Sequence, residues 1–398
     1  MKGELHAVQA ACDISGPSAL KFVVLIGVVS LFSDMTYEGA RSIIGPFLAV
    51  LGASATAVGV VAGLGELIGY GLRLLSGYAA DKTRRYWTIV FLGYVMNLLA
   101  VPLLALAGHW EIAAILMIVE RMGKAVRTPA RDVMLSCASD RIGRGWGFGL
   151  HEALDQIGAI LGPLVVATVF HFSGRYQTGF GILLIPALIA LGVLFASYKL
   201  YPNPHDLEST SVKIQSKGFP KAYWFYILAI GCVAAGYADF PLVAYHFKKV
   251  AVVPDYWIPV FYAVAMGVDA IAALIFGRAF DRIGFPVLVA AVVLSSLFAP
   301  FAFWGGFTSA LIGMALWGVG MGAQESIVRA AIADLVPRTK LGFAFGLFNT
   351  CYGLFWFAGS ALMGVLYDVS VSSLVIFSVA AQLTAVPALL ALKRSGSA

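Results

Sequence analysis

Charge is what this sequence has least of. Lys, Arg, Asp and Glu make up 12% of its 398 residues, about half the share of a soluble globular chain. With 60% of the residues hydrophobic, a protein dissolved in water would expose far more apolar surface than soluble monomers carry. Cysteine is sparse too. Cys12, Cys137, Cys232 and Cys351 show neither paired nor metal-ligand spacing, so free thiols in helices are expected. There is no GxxxxGK[ST] phosphate loop. His151-Glu-Ala-Leu-Asp155 has the first half of the zinc-hydrolase pattern HExxH but lacks the second histidine, which excludes that chemistry. The first 20 residues include Glu4 and Asp13 and have no continuous apolar core, unlike a cleavable signal peptide.

What is abundant is apolar runs of membrane-spanning length. Twelve spans are read at 22–51, 56–78, 86–107, 110–134, 145–172, 177–199, 221–247, 256–277, 286–304, 308–333, 342–366 and 370–392, each close to or above the ~20 residues that cross a bilayer. The longer ones imply tilt, extension past the bilayer, or kinks at Pro46, Pro163 or Pro387. One sizeable polar stretch, Tyr201 to Phe219, separates six spans from six. The division is therefore 1–200, a linker at 201–219, and 220–398.

The net charge of +6 would suit nucleic acid only if the basic residues shared one surface. They sit instead in short loops. With the N-terminus inside, inner loops and tails hold 20 of the 27 Lys and Arg residues; outer loops hold Arg175, Lys248 and Lys249, and spans hold Arg41, Arg73, Arg121 and Lys124. Such a bias places both termini and the linker on the cytoplasmic side. No nucleic-acid partner is expected; lipid and a small solute are.

The halves resemble each other. Gly77, Asp81 and Lys82 after the second span match Gly277, Asp281 and Arg282 after the eighth. Arg127 and Asp132 match Arg329 and Asp334, and Gly145-Trp-Gly-Phe-Gly149 is echoed by Gly342-Phe-Ala-Phe-Gly346. Three matches in register argue for an internal repeat, an arrangement common among alternating-access proteins of the membrane.

An ionisable side chain at the middle of a bilayer costs at least ~2.5–3.5 kcal/mol, so each is a functional candidate. They are Asp34, Glu38 and Arg41 in the first span, Glu66 and Arg73 in the second, and Glu120, Arg121 and Lys124 in the fourth. The fifth has Glu152 and Asp155, the seventh Asp239, the eighth Asp269 and the tenth Glu325, whereas spans three, six, nine and twelve have none. Every third helix thus tolerates lipid, and the rest surround something polar. This predicts an all-α membrane protein: two pseudo-symmetric six-helix bundles around a central cavity.

Asp34, Glu38 and Arg41 are spaced i, i+4, i+7 and share one helix face. Glu38 and Arg41 are placed to pair. Asp34 has no base at i±3 or i±4, only Ser30, Ser33 and Tyr37, and is either a proton or cation site or a satisfied polar contact. It lies about 18 Å along its span at ~1.5 Å per residue, near mid-membrane. Arg121 and Lys124 need carboxylates or an anionic solute beside them, with Glu66, Glu120 and Asp155 as expected partners. They form either a structural charge network or a coupling relay.

Gly77-Tyr-Ala-Ala-Asp81-Lys82-Thr-Arg84-Arg85 resembles the loop signature G-x-x-x-D-R-x-G-R-[KR] of the major facilitator superfamily, with Lys82 for its first Arg and Thr83 for its middle Gly. Gly277-Arg-Ala-Phe-Asp281-Arg282-Ile-Gly284 is the second copy, without the final basic pair. The resemblance implies a cytoplasmic charge cluster at Gly77, Asp81, Lys82, Arg84, Arg85, Gly277, Asp281 and Arg282 that latches the halves in one state. Arg121-Met-Gly-Lys124-Ala125 resembles the R-x-x-q-G motif of proton-coupled members, and Gly158-Ala-Ile-Leu-Gly162-Pro163 the start of the antiporter motif, whose last two glycines are Val166 and Ala167 here. The run from Glu120 through Arg127-Thr-Pro-Ala-Arg-Asp132 to Gly158 resembles an uncharacterised bacterial subgroup.

The resemblance implies a secondary transporter in a bacterial cytoplasmic membrane, monomeric and without a cofactor. Proton-coupled export of a small organic solute is the first reading. Uptake of a charged or zwitterionic metabolite by symport or facilitation is the second, and metal-ion export a third. No constellation of an intramembrane enzyme is readable, and a receptor would need no two-half repeat.

Overall fold

The computed structural model describes residues 16–140, 142–202, 218–337 and 341–395. All regular structure among them is helical. The first half comprises α1 (Gly16–Val50), α2 (Ala55–Thr83), α3 (Tyr86–Leu103) followed by a 3-10 turn at Leu104–Leu106, α4 (Trp110–Asp140), α5 (Arg144–Ser173), α6 (Tyr176–Ile182) and α7 (Leu184–Leu200). The second comprises α8 (Lys221–Gly236), α9 (Phe240–Val250), α10 (Trp257–Ile283), α11 (Phe285–Ser296), α12 (Phe298–Trp304), α13 (Phe307–Leu335), α14 (Leu341–Val369) and α15 (Val371–Ser395).

Eleven of the twelve expected spans are long and apolar enough to cross a membrane. The twelfth, α4, is 31 residues long and carries too much charge for that description, because it supplies the site described below. Three other spans consist of two helices each, α6–α7, α8–α9 and α11–α12. The interruptions fall just before Pro186, Pro241 and Pro300, where the missing N–H and the ring's clash with the carbonyl four residues back break the helix. Pro46, Pro163 and Pro387, the expected kink sites, lie inside continuous helices.

The break between α8 and α9 is the most elaborate. Its freed carbonyls need donors, since lipid offers none. Gly236 O accepts from Ser378 Oγ at 2.6 Å and Gln382 Nε2 at 3.2 Å, and Ala238 O from Trp317 Nε1 at 3.0 Å. The Tyr237 hydroxyl donates to Trp317 O. Asp239 is thereby held at the N-terminus of α9.

Within the first half α1 packs on α5 and α7, and α4 on α2 and α3; within the second α10 packs on α13, and α15 on α8 and α11. Between halves α2 meets α14, α5 meets α10, and α1 meets α9. A two-fold relation exchanging the halves maps the first two contacts onto each other and the third onto itself, consistent with the sequence repeat. Residues 203–217 of the linker lie outside the described residues.

The halves are joined at one end and parted at the other. A single apolar core runs from Tyr37, Phe47 and Phe170 in the first half into Phe240, Phe261 and Trp317 in the second. The first half has a separate core of its own at the other end, where α1 begins, built on Phe22, Trp87, Met134 and Leu194. At the joined end Gly45 lies so close to Pro241 that a Cβ would sit 2.0 Å from its carbonyl oxygen. There too the Asp368 carboxylate, on α14, accepts from Thr56 N at 2.9 Å, Thr56 Oγ1 at 2.7 Å and Ala55 N at 3.3 Å, so the second half caps the N-terminus of α2.

Candidate functional site

A cavity of about 520 Å³ separates the halves at the parted end. The α1 stripe Asp34, Glu38 and Arg41 faces it, as the i, i+4, i+7 spacing requires, with Glu66 and Arg73 from α2. Arg121, Lys124, Arg127 and Arg131 come from α4, and Glu152, Asp155 and Gln156 from α5. The second half adds Tyr262 and Asp269 from α10, Gln324 and Glu325 from α13, and Tyr352 and Trp356 from α14. Glu152 and Glu325 are exposed and mark the mouth, while Asp34, Glu38 and Asp269 are buried.

The floor is an ion network in which every guanidinium meets more than one acid. Arg41 Nη2 lies 2.9 Å from Asp239 Oδ1 and 3.3 Å from Glu66 Oε1. Arg121 reaches Glu66 at 3.4 Å and Glu120 at 3.4 Å. Asn97 Nδ2 donates to Glu120 Oε1 at 2.7 Å, and Asp239 Oδ2 accepts from Trp356 Nε1 at 2.8 Å and Ser360 Oγ at 3.4 Å. Buried charges are tolerable only when so partnered. Because Arg41 and Asp239 belong to different halves, this network also ties the closed end.

The expected Glu38–Arg41 pair does not form. Arg41 turns to α2 and α9, and Glu38 instead accepts from the Tyr262 hydroxyl at 2.5 Å, with Lys124 Nζ 3.9 Å away. The packing of α9 on α1 brings Asp239 to 2.9 Å from Arg41, which spacing along one helix cannot show. Arg121 has Glu66 and Glu120 as expected, but Lys124 has Glu38, and its Nζ donates to the Tyr37 hydroxyl at 2.8 Å.

Asp34 sits beside Gly158 of α5. Of its presumed local partners, Ser30 bonds His151 Nε2 at 2.8 Å and Ser33 donates to Val29 O at 2.7 Å. Tyr37 is left, and Lys124 and Arg127 are the cations that act on Asp34 most strongly. Asp155 lies 3.6 Å from His151 Nδ1. Asp269 Oδ2 accepts from Gln156 Nε2 at 3.5 Å.

Arg127 and Arg131 were counted above with the inner-loop bases although the fourth span, 110–134, covers both; α4 continues through them, and they line the cavity. The register Lys124, Arg127, Arg131 on one helix face was the available signal. Arg127 is buried, its guanidinium carbon 4.2 Å from the Tyr94 ring centre, and its Nε and Nη1 have no hydrogen-bond partner. Arg131 holds Asp132 Oδ1 at 2.8 Å.

The helix-packing motif lies against α1: Gly158 meets the Leu31 carbonyl and Gly162 the Met35 carbonyl, where Cβ atoms would stand 2.2 and 2.3 Å from oxygen. Pro163 follows inside α5. Asp81, Lys82, Arg84, Arg85, Asp281 and Arg282 are exposed at the open end. Gly77 faces Pro129 of α4 and Gly277 faces Ser326 of α13, the same place in each half. The side chains of Arg329 and Asp334 lie outside the described residues.

His151, Glu152 and Asp155 each offer a ligand atom within 4.8 Å of one another. Both imidazole nitrogens already face protein partners, however, and Glu152 points to the mouth, so no metal is assigned there. Cys232 and Cys351 are free, but Cys137 is in a disulfide, contrary to the expectation of free thiols.

An uncharacterised protein of Mycobacterium tuberculosis is 41% identical over 383 residues, covering 94% of each chain. An uncharacterised MFS-type transporter of Methanocaldococcus jannaschii is 29% identical over 362 residues, 88% of this chain and 89% of that one. Among solved structures, a mutant of the nucleoside transporter NupG superposes with a TM-score of 0.75 at 12% identity, covering 93% of this chain and 99% of that one. A bacterial homologue of the human lysosomal transporter Spinster gives 0.72 at 14% identity, covering 94% and 96%. The sequence profile of the Major Facilitator Superfamily matches residues 26–360 and, in a second match, 256–396. With twelve spans and a charged cavity between two halves, the chain belongs to the Major Facilitator Superfamily: it is a multi-pass membrane transporter and not an enzyme.

Proposed function

We propose that this transporter carries a small charged organic solute across a bacterial cytoplasmic membrane, coupled to protons and running as export or antiport, with both termini and the open end of the cavity inside. The observation that carries the reading is the cavity itself: acids and bases of both halves converge on one space that is open at one end and tied shut at the other. Alternating access needs the solute and the proton to favour opposite-facing states of the two halves, 1–200 and 220–398. Asp34, buried at the cavity wall without a salt-bridged cation of its own, is the proposed proton carrier. The α4 cations beside it make proton and anionic solute competitors for one region.

The test is counterflow of labelled organic anions, cations and amino acids in proteoliposomes of the purified monomer, with and without a pH gradient. Solute movement that ignores the gradient in both directions contradicts proton coupling; no movement of any charged solute contradicts the substrate class.

One observation favours a second reading, uptake of a zwitterionic metabolite. Among the described residues, every Lys and Arg lining the cavity comes from α1, α2 and α4, whereas the charged residues that α10 and α13 place there are the acids Asp269 and Glu325. A solute with both charges fits across such a divided space. Inward accumulation driven by an inward proton gradient distinguishes this reading from export.

A further inference from the structure

The wall opposite the α4 cations is short of hydrogen-bond donors. α5 and α10 meet where Gln156 donates to Asp269, at the 3.5 Å limit of a hydrogen bond. Asp269 is 2% exposed. Its other oxygen, Oδ1, has no partner, and neither has the adjacent Gln156 Oε1, both buried. The charges that act on Asp269 most strongly are all carboxylates: Glu325, Glu152 and Glu38. A buried acceptor left unmatched forfeits the hydrogen bonds it made to water. Rotating the Gln156 amide brings oxygen against oxygen at Asp269 and worsens the account. Protonating Asp269 supplies one donor to the pair, whereas a cation meets both free oxygens and the surrounding acids together. Among the described residues, α5 and α10 bring no Lys or Arg to this wall.

We propose that Asp269 and Gln156 form a binding site for a monovalent cation, either an alkali-metal ion or the ammonium group of the carried solute, with Glu152 adding to the attracting field. The assignment rests on the reading of the cavity as a solute pathway. Carboxylate and amide oxygens are hard ligands suited to an alkali ion and equally to N–H donors. The exposed acids at the mouth raise the local cation concentration along the way in. Because one ligand comes from each half, an occupied site stabilises the state in which α5 and α10 touch, so the cation biases the conformational equilibrium.

The full chain in nanodiscs is titrated with 22Na+ and, separately, with 14C-methylammonium in a scintillation proximity assay at constant ionic strength. The site predicts saturable binding of at least one probe. Saturable sodium binding displaced by potassium or lithium identifies an alkali-ion site; methylammonium binding without sodium binding identifies an ammonium site. Asp269→Asn weakens the bound probe tenfold or more, Asp269→Glu restores part of it, and Gln156→Leu weakens it severalfold, each in protein that stays monodisperse with an unchanged unfolding midpoint. Absence of saturable binding of both probes to the wild type, or wild-type binding by folded Asp269→Asn, overturns the proposal. Solute counterflow in liposomes that persists without cation binding defeats the site alone; cation binding without any solute counterflow defeats the transport reading instead.

Discussion

Replacing Asp239 by Asn tests whether the buried inter-half ion network holds the closed end. Asp239 is 1% exposed and joins Arg41 at 2.9 Å to Trp356 at 2.8 Å and Ser360 at 3.4 Å. Asn keeps one acceptor and loses the charge. A hydrogen bond to a charged group is worth about 1.5–3 kcal/mol, and Glu66, still 3.3 Å from Arg41, limits the damage. The closed end is therefore expected to lose about 2 kcal/mol relative to states in which α1 and α9 part. At about 1.4 kcal/mol per factor of ten, that shifts the population ratio roughly 30-fold. Val50 and Val250, exposed at the ends of α1 and α9 in opposite halves, are suitable positions for spin labels through Val50→Cys and Val250→Cys. Pulsed electron-electron resonance is expected to show a second, longer distance in the Asp239→Asn variant. An unchanged distance distribution in well-folded protein refutes the assignment of this network as the tie between halves.

Four further outcomes are expected. Asp34→Asn leaves solute counterflow intact but removes its dependence on a pH gradient in proteoliposomes; unchanged gradient-driven transport makes Asp34 a structural residue. Asp81→Asn, at the exposed end of α2, slows transport severalfold without weakening solute binding, and equal loss of both contradicts its place in a latch. Gly45→Ala drives a methyl into the Pro241 carbonyl and should abolish transport and open the joined end in the same spin-label assay, while Gly71→Ala, with nothing within 4 Å of its Cβ, serves as a control near wild type. Asp368→Ala removes the acceptor that the second half offers to Ala55 N and Thr56 N, leaving Ser54 to accept from Ala57 N, at a cost of about 1 kcal/mol, roughly a fivefold shift toward the opened end and measurable by the same labels.

The membrane class, the twelve spans, the repeat and the family could all be read from the chain alone, because each depends on local properties that add along a sequence: run length, the scarcity of charge, and motifs recurring in register. The lack of ionisable residues in spans three, six, nine and twelve was a partial guide to which helices face a polar space, since the eleventh, 342–366, also has none and yet lines the cavity with Tyr352 and Trp356. Placement of Asp34, Glu38 and Arg41 on one face needed only the helical period. What lay beyond reach was pairing. Arg41 could meet Glu38 one turn away or Asp239 some two hundred residues on, and only the approach of α1 to α9 decides for Asp239. Arg127 and Arg131, at the charged inner end of the span 110–134, counted with the loop bases because sequence gives no depth, yet in the fold their helix continues to Asp140 and buries that charge against Tyr94 and the cavity. The donor-poor contact of Gln156 with Asp269 exists only where α5 and α10 meet. Covalent order dictates which side chains share a helix face, but the energy of a buried charge is set by whichever opposite charge the packing brings within a few ångströms, and that is a property of the tertiary structure alone.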